Sequence, residues 1–156
     1  MGIKWIGEHV FDFVARFRND VAMGWHGDAD MIKILPTDFI INEDVAGATE
    51  FLDDTGTVGV GVSNANSELV ALVPIPFGKK ATVLDIFCNV DITMTPFALD
   101  ITDGSIAALG SAGTTNTQLN MTDHSWSADT VLGVKVTTTA TSDLIFGGKV
   151  TIADIV

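Results

Sequence analysis

The spacing of apolar positions changes once along the chain. From Lys4 to Asp20, KWIGEHVFDFVARFRND, it is helical. At roughly 100° per residue, Ile3, Trp5, Ile6, Val10, Phe13, Val14 and Phe17 fall on one broad half of a cylinder. Lys4, Glu8, Asp12 and Arg16 fall on the other half, as two opposite-charge pairs four residues apart. Phe11 lies outside the apolar arc. So wide an arc exceeds the seam of a two-stranded coil, so this helix is expected to pack either in a deep domain groove or against several neighbours at once. It should stop near Asn19-Asp20, because AMGWHGDAD has two glycines and no helical period.

From Met31 onward the pattern is that of strands and turns. MIKILPTDFII reads as two short extended pieces bent at Pro36, since the residue before proline is pushed out of the helical region. NEDVAGATEFLDDTG is acidic and ends in a turn signal. In TVGVGVS, Val58, Val60 and Val62 face one way and Gly59 and Gly61 the other. A bare strand face of that kind marks close approach by a backbone or a large side chain. ELVALVPIPFG is a continuous apolar strand, and ATVLDIFCNV places Thr82, Leu84, Ile86, Cys88 and Val90 on one face. The apolar face of PFALDI is read as Phe97, Leu99 and Ile101, with a turn at 102–104. TNTQLNM sets Thr117, Leu119 and Met121 against Asn116, Gln118 and Asn120. TVLGVKVTT points Leu132, Val134 and Val136 inward, and Gly147-Gly148 predicts a bulge in the last strand.

The sum is an all-β chain, a jelly-roll-like two-sheet antiparallel sandwich of about eight strands preceded by one N-terminal amphipathic helix. The expected organisation is an oligomerisation helix at 1–22, an extended connecting segment with short strands at 23–56, and the β-sandwich at 57–156.

Charge narrows the partners. A net charge of −12 with only eight scattered basic residues argues against nucleic acid, which needs clustered Lys and Arg. It also disfavours an anionic membrane surface. The run Leu69–Ile75 is far short of the ~20 apolar residues of a spanning helix, and no signal peptide is read at the N-terminus, so no membrane insertion is expected. The single cysteine, Cys88, permits no intrachain disulfide and reads as a small buried hydrophobe.

Candidate chemistry is sparse. FLDDTGTV carries the Asp-Thr-Gly signature of aspartic proteases, with Asp54 as the acid that would share a proton across a dimer axis. Asp53 and Thr57 depart from that pattern, and a turn between strands is the favoured reading. His9, His26 and His124 include no pair at the four-residue spacing of a helical metal site. The acid pairs Asp28/Asp30, Glu43/Asp44 and Asp53/Asp54 lack the order of a calcium-binding loop and read as solvated surface. One loop, TDHSWSAD, places Asp123, His124, Ser125 and Trp126 together, a candidate sugar-binding edge with Trp126 stacking on a pyranose. No catalytic residue, metal or cofactor is assigned.

Several stretches together, EHVFDFVARFRNDV, IKILPTDFIINED, DDTGTVGVGV, IPFGKKAT, TNTQLNMT and FGGKVTIADI, resemble in content and order a group of structural or tail-fibre-like proteins of marine bacteriophages and viral metagenomes. The likeness spans about Glu8 to Ile155, and it implies a C-terminal β-domain and a virion role but no catalytic residues. The expectation is therefore a non-enzymatic virion structural protein, assembled in the host cytoplasm, acting as a tail-fibre tip or capsid-decoration module. Its partners would be its own copies in a homotrimer, other virion proteins, and a host surface glycan. Trp5, Ile6, Val10, Phe13 and Phe17 would form the oligomer interface; Asp123, His124 and Trp126 would be the ligand-binding candidates. The alternative is a lectin-like carbohydrate-binding module outside any virion, and the third reading is a small aspartic-type hydrolase.

Overall fold

The computed structural model describes residues 30–42, 46–124 and 126–155. The expected helix and its interface residues Trp5, Ile6, Val10, Phe13 and Phe17 lie outside the described residues, as do His9 and His26.

The described chain is all-β, with strands β1 (Met31–Ile34), β2 (Ile40–Asn42), β3 (Glu50–Asp53), β4 (Gly59–Val62), β5 (Glu68–Pro74), β6 (Lys79–Cys88), β7 (Thr93–Asp100), β8 (Ile106–Ala108), β9 (Gly113–Thr114), β10 (Leu119–Asn120), β11 (Thr130–Thr137) and β12 (Ile145–Asp154). Twelve strands stand among the described residues where about eight were expected, four of them (β2, β8, β9 and β10) only two or three residues long, and of the alternating stretch TNTQLNM only Leu119–Asn120 is strand. All pairings are antiparallel. The first sheet runs β10-β6-β12-β4-β3, with β1 sharing with β4 the edge of β12 that β6 leaves free. The second runs β2-β5-β11-β7-β8, with β9 beside β8 on β7. β1 to β3 are thus built into both sheets.

The chain passes from the first sheet to the second at Pro36, as the proline bend implies. A 3-10 turn over Pro36–Asp38 makes the crossing, and the Asp38 carboxylate accepts the Leu35 N–H at 2.7 Å. One core lies between the sheets. Leu132, Val134 and Val136 of β11 are fully buried, as their alternation predicts, and meet Leu69 and Ala71 of β5 with Leu84, Ile86 and Val150 of the facing sheet. Fully burying such side chains stabilises by about 1.5–3 kcal/mol each.

The glycine-faced strand behaves as expected. A β-carbon on Gly61 would lie 2.9 Å from Phe51 Cζ, and one on Gly59 3.1 Å from Phe146 Cδ1. Aromatic rings occupy the bare face. The bulge also forms: the β12–β6 register shifts between Ile145 and Gly147, and Gly147 takes φ 109°, a left-handed value that glycine adopts without strain.

β7 departs from the reading. Met94, Pro96 and Ala98 are the buried residues, while Phe97 and Leu99 point to the outer surface and Ile101 sits exposed in the following turn. Val58 and Val90, expected to continue buried faces, lie beyond the strand ends and are exposed.

Candidate functional site

The loop between β10 and β11 brings Asp123, His124 and Trp126 into one corner. The His124 and Trp126 rings meet edge to face, 5.5 Å apart at 81°. Asp123 Oδ1 pairs with Lys80 Nζ at 3.1 Å, an exposed bridge of the kind worth under ~1 kcal/mol. Trp126 packs against the core, and its Nε1 is buried with no partner among the described residues. A sugar platform offers an open ring face beside usable hydrogen-bonding groups; this indole turns its polar edge inward. The corner could present His124 and Asp123 to a ligand, with Trp126 acting as a cover of the core.

Asp54-Thr55-Gly56 forms an exposed turn between β3 and β4. Asp53 Oδ1 accepts the Thr55 hydroxyl at 2.6 Å and the Thr55 N–H at 2.9 Å. The hydroxyl first, and the N–H after it, hold the Asp53 carboxyl below its ordinary value. This is turn chemistry, an aspartate closing its own loop. Cys88 is buried as read, and burial pushes its thiol up to about 11, opposed in part by the Thr115 hydroxyl and reinforced by the Asp143 and Asp91 charges. Among the described residues no group of three His, Cys, Asp or Glu could hold a metal ion, and no helix is long and apolar enough to cross a membrane.

The outer surface of the second sheet is the unusual feature. One face of an antiparallel sheet is commonly polar. Here β5 turns Val70, Leu72 and Pro74 outward, and β11 turns out Val131 and Gly133. The register sets Gly133 beside Phe97 and Val131 beside Leu99 on β7, then Phe97 beside Ala108 and Leu99 beside Ile106 on β8. On the far side, Ile40 of β2 sits beside Val70. A β-carbon on Gly133 would fall inside the Phe97 ring, so the ring lies flat across β11. Exposure reaches 47% at Leu72, 57% at Ile40 and 69% at Ile106. An apolar stripe therefore crosses β5, β11, β7 and β8 in two rows, Leu72–Gly133–Phe97–Ala108 and Pro74–Val131–Leu99–Ile106, and Ile40 of β2 extends it at one corner through Val70.

The next row is mixed, with Lys135 and Thr95 beside Val70, and beyond it Glu68 meets Lys135 at 2.8 Å beside Thr137. A groove of about 420 Å³ adjoins the stripe and shares Leu72 and Pro74 with it; Ile32, Lys33 and Leu35 form its other wall and Asp38 its rim. Around the β7–β8 turn stand Asp100, Asp103 and Asp129, none of which forms an ion pair among the described residues. The sequence did carry a sign of the stripe, since β5 and β7 are apolar at consecutive positions, on both faces.

No protein-family model matches the chain, and no curated protein matches it. Among solved structures, it is similar at 15% identity and a TM-score of 0.40 to the CBM22-1 and GH10 modules of the Clostridium thermocellum endo-1,4-beta-D-xylanase 10B, complexed with xylohexaose. The match covers 81% of this chain and 28% of that one.

Proposed function

We propose that this chain is a non-enzymatic structural module that assembles with copies of itself through the apolar stripe on its second sheet. The observation that carries the reading is the stripe, a continuous run of large apolar side chains that a single described chain leaves in water. A contiguous apolar patch, unlike apolar residues scattered singly, is a common mark of an interaction surface. A homotrimer is the state we infer, with Trp5, Ile6, Val10, Phe13 and Phe17 near the symmetry axis, against sister helices or a neighbouring β-domain. The virion setting, as a tail-fibre tip or capsid-decoration element built in a host cytoplasm, is supported by the resemblance in sequence order alone. We read the strand order as jelly-roll-like, on the ground that the chain changes sheet at most of its connections.

Size-exclusion chromatography with light scattering tests the assembly on the full chain. The native protein should elute as a trimer, and Leu72→Glu or Ile106→Glu should shift it to smaller species while leaving its far-UV spectrum intact. A native monomer, or a trimer indifferent to both charges, overturns the proposal. A second reading, glycan binding, is favoured by the meeting of His124 and Trp126 beside Asp123. A glycan array read with the native chain and with His124→Ala and Trp126→Ala decides it: binding lost in both variants supports this corner, and no binding removes it.

A further inference from the structure

The stripe has a shape that suits one particular occupant. With Ile40 at its corner it reaches across five strands, four spacings of about 4.8 Å, and is roughly 19 Å long. Along the strands it covers little more than two outward residues, so its plane is roughly 200–250 Å². A stable pair buries nearer ~800 Å² of accessible surface on each partner, so this stripe would be a small part of a sheet-to-sheet contact. A single amphipathic rod fits better: fifteen helical residues span about 22 Å and are about 10 Å across.

The chain contains such a segment, and its charges match. Ile3–Phe17 is fifteen residues long and concentrates its aromatic and aliphatic positions on one half of a helical period. It is followed by Arg18, which with Arg16 makes up all the arginine in the protein. Asp100, Asp103 and Asp129 stand at or beyond the strand ends at the β7–β8 corner of the stripe, with no cation paired to them among the described residues. From Phe17 to Asp30, where the described chain begins, thirteen residues can bridge up to about 43 Å. The described chain enters β1 next to the stripe, since Ile32 and Lys33 of β1, with Leu35 after it, wall the adjoining groove.

We propose that the segment Ile3–Phe17 seats on the outer face of the second sheet, its apolar half over Leu72, Phe97 and Ile106 and its Arg16–Arg18 end toward Asp100, Asp103 and Asp129. This deepens the assembly reading, and it rests on that reading only for whether the segment comes from a neighbouring copy.

Disulfide trapping on the full chain tests it. Val14→Cys and Ile106→Cys are combined, with Val14→Cys and Ser142→Cys as control; Ser142 is equally exposed but precedes β12 in the other sheet. Cys88 stays in place, because its buried thiol takes no part. Under mild oxidation the 14–106 bridge should form at least about tenfold faster than the 14–142 bridge, as a raised effective concentration demands. Arg16→Glu with Arg18→Glu should slow it several-fold at low salt and much less at high salt. Equal rates for the two pairs overturn the proposal, and so does rapid dimer formation by Ile106→Cys alone, which would put stripe against stripe. Bridges between molecules sustain both this inference and the assembly reading. Bridges within one molecule sustain the seat and refute the assembly reading.

Discussion

Gly133→Ala is the most informative single change to the outer face. The added methyl would occupy the place of the Phe97 ring, so the ring must leave β11. Overpacking of this kind costs about 1–3 kcal/mol. Replacing a strand glycine recovers about 0.5–1 kcal/mol of backbone entropy, which leaves a net loss of about 0–2.5 kcal/mol, centred near 1.5. Phe97→Ala alone removes a half-buried ring and should cost about 1 kcal/mol, a fraction of the full burial value. Together the two changes remove the clash, so the double variant should lose only about 0.5 kcal/mol, with a coupling near 2 kcal/mol. Urea unfolding followed by tryptophan fluorescence measures all four corners of the cycle. Additivity within about 0.5 kcal/mol would show that Phe97 does not lie across Gly133, and the stripe would lose its centre.

Two further outcomes are expected. Cys88, its thiol pushed up to about 11, should resist a thiol reagent at pH 8 in the folded protein and react fully in denaturant; rapid native labelling would contradict its burial. Thr55→Ala should return the Asp53 carboxyl toward its ordinary 3.8, followed by carboxyl carbon NMR. Because the folded value is depressed, Asp53 favours the native turn above the ordinary value and loses that contribution as pH falls through the folded one. The variant keeps the backbone N–H at 55 and should therefore lose the hydroxyl's share of this acid-side term, and an unmoved titration would refute the assignment of the Thr55 hydroxyl as its first cause.

The fold was legible where one face of a strand is apolar and the other is not. β11 alternates Leu132, Val134 and Val136 with smaller or polar residues, and it lies as read. Gly59, Gly61 and Gly147 were legible for a related reason, since a missing side chain marks where another group must come close. β7 misled because both of its faces are apolar, and the larger Phe97 and Leu99 outweighed Met94, Pro96 and Ala98, which fill the core. Periodicity says nothing about which of two apolar faces is covered by the other sheet. The same ambiguity concealed the stripe, because each outward residue looks like core until the register sets Leu72 and Phe97 on either side of Gly133, and Leu99 beside Ile106. The Asp123–His124–Trp126 neighbourhood needed no fold to be seen, but the inward turn of the indole did.

Hydroxyl-radical footprinting of the full chain, read by mass spectrometry across a hundredfold range of concentration, reaches the central claim most directly. Phe77, 94% exposed in the β5–β6 turn and outside the stripe, serves as the internal reference. The account predicts that Leu72, Leu99 and Ile106 are labelled far below the level their exposure on one chain implies when the protein is concentrated, and recover as dilution dissociates the assembly. Labelling of all three in proportion to their exposure at every concentration, with Phe77 unchanged, would mean that the stripe faces water and has no partner.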